Sequence, residues 1–356
     1  MRRPIAGCGP VTRRPLDLRS DTVTTPTARM RSAMAAAEVG DDVFGEDPTV
    51  RALEAKSAGM SGMEDGLFVP SGTMANHLAI LALCGRGRAA IVLEHSHLAR
   101  MERAGAAVLM GVPLLAVTTG NGVVDDVRVE ASLARVAPIQ MPKLGVLCLE
   151  NTYDLNRGLV ISPAETAAMA AVGRGLGVPV FLDGARIFNA AVAAGAPLES
   201  FTRTVDAAQF CLSKGLSSPI GSVLVGPRDL IAEARWLRQQ LGGGWRQAGI
   251  IAAAGLVALD EMVGRLAEDH AHARELGRLL AEAGLGVDHA QIQTNIVRVD
   301  VGGAGLTAEA FVARMAARRV LVKPVGPDTV RLVVHREIAA SDLTVIARAA
   351  GASVAA

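Results

Sequence analysis

The chain has 356 residues, half of them hydrophobic, and its 36 basic and 35 acidic side chains leave a formal net charge of +1. Because so small a charge creates no global field for nucleic acid or an anionic membrane, we expect small molecules and other copies of the chain as partners. Its cysteines, Cys8, Cys84, Cys148 and Cys211, form no C-x-x-C motif and no tight cluster, which argues against a disulfide framework and a cysteine zinc site.

The first 16 residues contain paired arginines and prolines but no long apolar run, so they indicate a flexible N-terminal extension rather than a signal peptide. The longest apolar run near the middle of the chain, at 249–259, is shorter than the ~18 to 20 residues that a membrane span needs. It predicts a buried helix. We therefore expect a cytoplasmic protein with no membrane partner.

From residue 66 onward, apolar runs of five to nine residues that are typical of strands alternate with longer, alanine-rich stretches that are typical of helices. Strands that are apolar throughout and separated by helices favour a mainly parallel sheet with helices on both faces. The predicted fold class is therefore α/β. The predicted strands include GLFVP, AAIVLE, LGVLCLENT, VPVFLDGAR and DAAQFCLSK.

The pattern changes after about residue 250. A long helical stretch is followed by the strand TNIVRVDV, a helix over 308–319, and the strands VLVKPV and TVRLVVH. This order predicts a smaller α+β domain after the large one. We therefore divide the chain into an extension at 1–16, a large domain at 17–249 and a small C-terminal domain at 250–356.

Polar residues follow the predicted strands at the edge where a parallel α/β sheet binds its ligands, beyond the carboxyl ends of the strands. Topology is expected to bring five such groups of residues to one edge of the sheet. They are Ser71 with Thr73, His95 with His97, Glu150 with Asn151, Asp183 with Arg186, and Lys214.

Lys214 stands where an apolar strand ends and a loop of small residues begins. A lysine at such a place loses hydration, which makes its neutral amine available for bonding to an aldehyde. Asp183 ends another apolar strand, and the pair fits pyridoxal phosphate, which needs a carboxylate for its pyridine nitrogen and a lysine for its aldehyde. Taken singly, Lys214 has a simpler explanation as a surface lysine, and Asp183 as a helix cap.

The segment VPSGTMANH supplies a candidate phosphate cradle. A strand ends at Pro70, a Ser-Gly-Thr loop follows, and a helix is predicted to begin near Met74 with its free N–H groups and its dipole facing an anion. By itself this pattern is commonly only a helix cap. Together with Lys214 and Asp183, it indicates a pyridoxal phosphate site.

Eight ordered segments, which run from about Leu16 to about His335, together resemble the L-threonine aldolases of the β-eliminating lyase family. The resemblance implies the aspartate aminotransferase-like fold, with a mainly parallel, seven-stranded type of sheet between helices, and pyridoxal 5'-phosphate as cofactor. It also implies a homotetramer, a dimer of dimers whose subunits share active sites. The segments are LDLRSDTVTTPT, VGDDVFGEDPTV, PSGTMAN, LENT, DGARIFNA, CLSKGLSSPIGS, GGGWRQAGI and VRLVVH.

For the cofactor, the resemblance implies that Lys214 binds the aldehyde covalently and that Asp183 pairs with the pyridine nitrogen. It implies further that His97 stacks on the ring face, and that Arg186 contacts the cofactor or the substrate carboxylate. The implied phosphate ligands are Ser71, Gly72, Thr73 and, from a neighbouring subunit, Arg246.

For the substrate, the resemblance implies that Ser20 and Arg331 hold the α-carboxylate, Arg331 through a bidentate pair. Fixing the carboxylate turns the Cα–Cβ bond perpendicular to the cofactor ring, so that this bond is the one that breaks. The implied reaction converts L-threonine, L-allo-threonine or a related β-hydroxy-α-amino acid to glycine and an aldehyde. The residues alone also allow Ser20 as a turn residue and Arg331 as an outward position on a strand.

The chain departs from the family pattern on the substrate side. The usual ENTH reads ENTY, so Tyr153 stands where a histidine is expected near the substrate hydroxyl. Phe44 stands where a tyrosine is common in the family, and Met101, after His97, stands where the family often has another histidine. Because a phenol is a poorer general base than an imidazole at neutral pH, Tyr153 could bind the hydroxyl while His97 or a water takes its proton.

Two alternatives to the aldolase stay open on the residues. The pocket could serve a different β-substituted amino acid, by β-elimination, by racemisation or by cleavage of a bulkier substrate. The chain could also bind pyridoxal phosphate with little catalysis, although a store for the cofactor would not need the carboxylate anchors Ser20 and Arg331.

Two pairs of histidines are weaker candidates for a functional role. His95 and His97 point the same way from a strand end, but no third ligand follows at a recognisable spacing, so we expect no metal site. His270 and His272 lie on offset faces of a predicted helix, where we expect both to be solvated.

Overall fold

The computed structural model describes residues 14–134, 140 and 142–355. Within them, a seven-stranded sheet forms the centre of the large region, and a three-stranded and a two-stranded sheet lie in the rest. The strands are Leu16–Asp17 (β1), Asp65–Val69 (β2), Ala89–Leu93 (β3), Leu114–Val117 (β4), Leu144–Glu150 (β5), Val180–Asp183 (β6), Ala207–Cys211 (β7), Ser222–Gly226 (β8), Ile296–Asp300 (β9), Val320–Leu321 (β10), Lys323–Pro324 (β11) and Thr329–Val333 (β12).

The central sheet has the strand order β2-β8-β7-β6-β5-β3-β4. The pairs from β7 through β6, β5 and β3 to β4 are parallel, whereas β8 runs antiparallel to both of its neighbours. β3, β6, β7 and β8 are buried along their whole length, as expected for a sheet that is covered on both faces. The predicted α/β class with a mainly parallel seven-stranded sheet is confirmed.

Helices flank this sheet, and alternate residues of its strands pack in different clusters. Ile91 and Leu93 of β3 belong to one buried cluster, and Ala90 and Val92 belong to another, because successive side chains of a strand point to opposite faces. The helices are Ala28–Ala35 (α1), Pro48–Ser61 (α2), Gly72–Cys84 (α3), His97–Arg100 (α4), Gly105–Met110 (α5), Asp126–Leu133 (α6), Pro163–Gly175 (α7), Ile187–Ala194 (α8), Glu199–Thr202 (α9), Arg228–Gln240 (α10), Gly249–Val257 (α11), Leu266–Glu282 (α12), Ala308–Ala317 (α13) and Ala340–Val354 (α14).

Local sequence determines where several helices begin. Ser71 caps α3, since its side chain accepts a hydrogen bond from the backbone N–H of Met74 at 3.1 Å. Ser162 and Glu165 form a capping box at α7, with Pro163 at its first position. The α3 cap matters most for function, because it points the first turn of that helix toward the end of β7.

The C-terminal region has its own antiparallel sheet, in the order β11-β12-β9, packed with α12, α13 and α14. This confirms the smaller C-terminal α+β region. The N-terminal strand β1 pairs with β10 rather than with the central sheet, and Leu18 packs in the C-terminal cluster. The start of the described chain is therefore bound to the small region.

The division into domains at 249 and 250 stays a prediction. Buried apolar residues through Leu266 pack with the central sheet, whereas those from Ala273 onward pack with the small sheet. We propose on this packing that the boundary lies within α12. Of the predicted flexible extension, residues 1–13 lie outside the described residues, and Leu16 already belongs to β1.

The long helix predicted after residue 250 is interrupted. Between α11 and α12 the chain forms a π-helical segment at Ala258–Met262. The expectation that His270 is solvated is wrong, because His270 is buried and its Nε2 lies 3.0 Å from Asn189 Oδ1. His270 lies on the face of α12 that packs against α8, and burial lowers its pKa to about 4.

The described part of the chain includes no helix that is both long enough and apolar enough to cross a membrane. Cys84, Cys148 and Cys211 are buried and free. Burial raises the pKa of the Cys84 thiol to about 11, so this side chain behaves as a small apolar group in the core. Cys8 lies outside the described residues.

Candidate active site

Polar side chains converge at the carboxyl ends of β5, β6 and β7. Glu150 and Asp183 are direct partners in the β5–β6 ladder, and Asp183 pairs in turn with Gln209 of β7. Lys214 follows β7 after a loop of two residues. The parallel register therefore brings together groups that are far apart in the sequence, as predicted from the strand ends.

The carboxylate of Asp183 is buried, with 2% of its surface exposed, and is held by hydrogen bonds. Its Oδ1 accepts from Gln209 Nε2 at 2.6 Å and from the Ala185 N–H at 3.0 Å, and its Oδ2 accepts from Asn76 Nδ2 at 2.8 Å. A carboxylate has about four acceptor positions, so these bonds orient Asp183 and leave room for one more donor. A protonated pyridine nitrogen is such a donor.

The predicted phosphate cradle lies at the first turn of α3. The free N–H groups of that turn and the helix dipole favour an anion there. A Cβ added at Gly72 would lie 2.8 Å from Cys211 Sγ, so only glycine lets the turn approach β7 this closely. Ser71 and Thr73 flank this glycine, and their hydroxyls lie at the same helix end.

The backbone of Lys214 is fixed while its ammonium stays available. Its carbonyl accepts from Thr24 Oγ1 at 2.8 Å and from the Ser217 N–H at 2.9 Å. The side chain is partly buried, and within the described residues its ammonium makes no hydrogen bond or ion pair. A half-buried lysine of this kind, beside a network that holds a carboxylate, fits the lysine that binds an aldehyde.

His97 begins α4 and is held by a buried carboxylate. Its Nδ1 lies 2.9 Å from Glu102 Oε1, and the other oxygen of Glu102 lies 3.0 Å from His77 Nε2. Burial raises the pKa of Glu102, but hydrogen bonds from His77, His97 and Asn76 outweigh burial and hold that pKa below its usual range. Since Glu102 binds Nδ1, the free nitrogen of His97 is Nε2, on a side chain that is 37% exposed.

Asn76 joins the two carboxylates. Its amide donates to Asp183 and, at 2.8 Å, to Glu102 Oε1. A continuous network therefore runs from Gln209 through Asp183, Asn76 and Glu102 to His97. Sequence reasoning missed Gln209, Asn76 and Glu102 as site residues; the only available signal was that Asn76 belongs to PSGTMAN and Glu102 follows His97 by five positions.

Glu150, at the end of β5, binds the backbone of His97. Its Oε2 accepts from the His97 N–H at 2.5 Å, and its Oε1 is buried without a partner among the described residues. Burial and the neighbouring charge of Asp183 raise the pKa of Glu150 well above its usual range. The raised pKa reflects the cost of placing a second negative charge next to Asp183 in a buried site.

Arg186 makes a bidentate ion pair with Asp21, at 2.8 and 2.6 Å. Burial raises the pKa of Asp21, but the charge and hydrogen bonds of Arg186 outweigh burial and hold it well below its usual range. The carboxylate partner of Arg186 in this structure is therefore a residue of the chain. Its predicted contact with the cofactor or substrate remains a prediction.

Arg331 is a buried cation without a carboxylate partner among the described residues. Its Nη1 donates to the Leu155 carbonyl and its Nη2 to the Arg19 carbonyl, both at 2.6 Å, while its Nε has no partner. Burial and the nearby charge of Arg186 lower the pKa of Arg331 to about 10. Through the Arg19 carbonyl, Arg331 is brought next to Ser20, as the predicted carboxylate site requires.

Tyr153 is fully buried among apolar side chains rather than exposed in the site. Its hydroxyl accepts a hydrogen bond from the His95 N–H at 3.3 Å, and burial raises its pKa to about 12. The ring lies against Gly122, where an added Cβ would lie 2.5 Å from it. These contacts favour a role for Tyr153 in fixing the loop after β3, and its predicted contact with the substrate stays untested.

The remaining predicted residues lie at the surface. Phe44 is 73% exposed, and Met101 is also exposed. The side chain of Arg246 is 60% exposed and donates to Asp41 Oδ2 at 3.0 Å. Within the described residues, no three His, Cys, Asp or Glu side chains are grouped to hold a metal ion.

Pyridoxal phosphate fits the residues present. The Asp183 carboxylate has capacity for one donor, Gly72 leaves a space that a Cβ would fill, and the Lys214 ammonium has no ion-pair partner among the described residues. Lys214, Asp183 and the first turn of α3 would hold the aldehyde, the pyridine nitrogen and the phosphate.

Comparisons with known proteins agree with this site. The profile of the family described as Beta-eliminating lyase matches residues 17–302. The chain is 39% identical to low-specificity L-threonine aldolase 1 of Arabidopsis thaliana, over 93% of this chain and 94% of that protein. It is 42% identical to the low specificity L-threonine aldolase of Escherichia coli K12, over 93% of this chain and 97% of that protein.

A solved structure of a threonine aldolase from Leishmania major shares the fold, with a TM-score of 0.81 over 96% of this chain and 100% of that one, at 17% identity. The predicted family resemblance, the lyase class and the cofactor are confirmed by these matches together. The chain is thus a pyridoxal phosphate-dependent lyase that belongs to the β-eliminating lyase family.

Proposed function

We propose that the chain cleaves L-threonine, L-allo-threonine or a related β-hydroxy-α-amino acid to glycine and an aldehyde. The observation that carries the proposal is Arg331, a buried guanidinium bonded to two carbonyls and to no carboxylate among the described residues, next to Ser20. A buried cation of this kind needs an anion, and the α-carboxylate of an amino acid supplies one. Two of the relatives reported above carry the name L-threonine aldolase.

Pyridoxal phosphate, when bound, supplies an electron-withdrawing ring that accepts the electrons of the breaking bond. The residues Lys214 and Asp183 would hold its aldehyde and its ring nitrogen. The Asp183 carboxylate is kept in place by Gln209 and Asn76, so it is already oriented before the cofactor binds. This orientation lowers the reorganisation that the reaction requires.

Arg331 and Ser20 would bind the substrate carboxylate and so set which bond of Cα faces the ring. The free Nε2 of His97 would take the proton of the β-hydroxyl group as the Cα–Cβ bond breaks. Glu102 binds the opposite nitrogen of His97 and stabilises the charge that appears on the ring of His97. The side chain of Glu150 keeps the backbone of His97 in position.

The test is incubation with L-threonine, L-allo-threonine and L-phenylserine, with glycine and aldehyde measured together. We expect equal amounts of both products from at least one substrate, and a loss of about 10³-fold or more in Lys214→Ala because the amine nucleophile is gone. Release of ammonia and a keto acid instead would identify β-elimination. Cofactor binding without turnover of any β-hydroxy amino acid would indicate a binding protein with little catalysis.

We also propose a cytoplasmic homotetramer in which Arg246 reaches the site of a neighbouring subunit. The support is an exposed apolar surface around Arg246, formed by Val43, Phe44 and Ile250, which a second copy would cover. Mixed oligomers of Lys214→Ala and Arg246→Ala should regain activity, because some sites then combine two intact contributions. Mixed oligomers that are as inactive as the two parent variants would contradict shared active sites. Cell fractionation tests the cytoplasmic location.

A further inference from the structure

A cavity of about 530 Å³ lies beside Arg331, between the loops that follow β3, β4 and β5 and the small sheet. Leu155, whose carbonyl binds Arg331, forms part of its wall. The wall contains His95, one carboxylate, Asp154, and four cations. The cations are Arg100, Arg157, Arg298 and Lys323.

Two of these cations are already paired. Arg157 contacts Asp154 Oδ2 at 3.0 Å and donates to the Gly120 carbonyl at 2.6 Å. Arg100 donates to the carbonyl of Glu94 at 2.8 Å and lies 3.4 Å from its carboxylate. The one carboxylate in the wall is therefore already used, and it does not neutralise the cations of the small sheet.

The side chains of Arg298 and Lys323 make no hydrogen bond or ion pair with any described residue. Both stand directly opposite Arg331 in the small sheet, Lys323 across β11–β12 and Arg298 across β12–β9. Directly opposite residues point to the same face, about 5 Å apart, and like charges in such positions destabilise a sheet. Burial and the charge of Arg331 lower the pKa of Lys323. Arg331 is buried and Arg298 is exposed, and no carboxylate among the described residues is bonded to any of the three cations.

We propose that this cavity binds a second anionic group of the substrate, so that the enzyme acts on β-hydroxy-α-amino acids whose side chain ends in a carboxylate. The proposal rests on the proposed function, because Arg331 would hold the α-carboxylate at the centre of the row. Arg298 and Lys323 would then hold the distal carboxylate. Met101 and Leu155 in the same wall would contact the apolar part of the side chain.

The chemistry balances without any further reactant. In 3-hydroxyglutamate, the hydroxyl O–H bond and the Cα–Cβ bond break, a C=O bond forms at Cβ, and a proton bonds to Cα. The products are glycine and 3-oxopropanoate, and together they contain every atom of the substrate. The corresponding products from 3-hydroxyaspartate are glycine and glyoxylate.

The experiment compares acids with their amides, since the two differ mainly in charge. The pairs are 3-hydroxyglutamate with 3-hydroxyglutamine, and 3-hydroxyaspartate with 3-hydroxyasparagine. We expect kcat/KM to favour the acid by about tenfold or more in at least one pair, and we expect this ratio to approach one in the double variant Arg298→Gln, Lys323→Gln. The matched control is Arg348→Gln, an exposed arginine of α14 outside the cavity, which should keep the ratio. An acid-to-amide ratio near one in the unmodified enzyme, or an unchanged ratio in the double variant, would overturn the proposal.

A binding measurement separates this proposal from the proposed function. Glutarate should raise the melting temperature of the holoenzyme more than butyrate does at equal ionic strength, and the difference should vanish in the double variant. If no β-hydroxy amino acid is cleaved but this difference appears, the aldolase function fails and the anion site stands. If L-threonine is cleaved while glutarate and butyrate act alike, the anion site fails. Stabilisation by inorganic phosphate but not by glutarate would also overturn it, since the cavity would then bind a free inorganic anion.

Discussion

Asp183 and Arg331 are both buried and charged, yet their surroundings differ. Asp183 receives hydrogen bonds from Gln209, Asn76 and the Ala185 backbone. Among the described residues, Arg331 has only carbonyls as hydrogen-bond partners, and it has like-charged neighbours across the sheet. In the first region three hydrogen bonds orient the carboxylate, with one acceptor position left for the cofactor. In the second region, the proposed substrate carboxylate would supply the anion that the buried guanidinium lacks among the described residues.

The sharpest test of the region around Asp183 is the substitution Asn76→Ala. The substitution removes a donor from two buried carboxylates, Asp183 and Glu102, and each hydrogen bond to a charged group contributes ~1.5 to 3 kcal/mol. We expect the free energy of unfolding to fall by about 3 kcal/mol or more, measured by urea denaturation. As a control, Gln240→Ala at an exposed position should change it by less than about 0.5 kcal/mol. Equal effects of the two variants would show that the network adds nothing to stability.

At Arg331 we expect a large effect on catalysis and a small effect on stability. In Arg331→Met, kcat/KM for L-threonine should fall about 100-fold or more, because the carboxylate loses its cation. The free energy of unfolding should change by less than about 1 kcal/mol, since relief from burying a charge offsets the two lost hydrogen bonds. Steady-state kinetics and urea denaturation on one preparation provide both values. A large loss of stability at unchanged kcat/KM would make Arg331 a purely structural residue.

The pH dependence of stability tests the ion pair of Asp21 with Arg186, which lies between the two regions. Because Arg186 holds the pKa of Asp21 below its ordinary value of 3.8, the pair contributes its full stability above pH 3.8 and loses it as the pH falls further. We expect the pair to account for on the order of 2 kcal/mol of the acid-induced loss. Urea denaturation between pH 6 and pH 2 should show that Asp21→Asn lacks this portion. Parallel curves for the two proteins would contradict the assignment.

Glu102→Gln should have the smallest effect, on catalysis rather than folding. Glutamine can still bind His97, but it no longer stabilises a positive charge on that ring. We expect kcat for L-threonine to fall about tenfold with little change in KM, and the acidic limb of the pH–rate profile to move to lower pH. A profile that keeps its position would show that Glu102 only supports the fold.

The central fold and part of the site could be predicted because they depend on local patterns. Strands that are apolar throughout predicted the buried sheet, and the strand ends predicted that Asp183 and Lys214 would meet. The network through Asn76 and Glu102 could not be predicted, because its members lie on different helices and loops and meet only after α3 packs on the sheet.

Two further features depend on register and burial rather than on residue type. Tyr153 follows a strand end like the other candidates, but its ring turns into the core against Gly122. The row of Lys323, Arg331 and Arg298 exists only because β11, β12 and β9 pair with those positions opposite one another. A shift of one residue in either ladder would move a cation to the other face, and sequence patterns do not determine pairing that closely.

The N-terminal segment is bonded both to the small sheet and to the loop of the active-site lysine. Leu18 is hydrogen-bonded to Leu321 and Val333 of the small region, and the next carbonyl, that of Arg19, binds Arg331. Ser20 therefore directly follows a segment that is bonded to the small sheet and to Arg331. The residues that follow are bonded to the large region, since Asp21 pairs with Arg186 and Thr24 Oγ1 donates to the Lys214 carbonyl. Within seven residues, 18–24, the chain therefore joins the small sheet that carries Arg331 to the loop that carries Lys214.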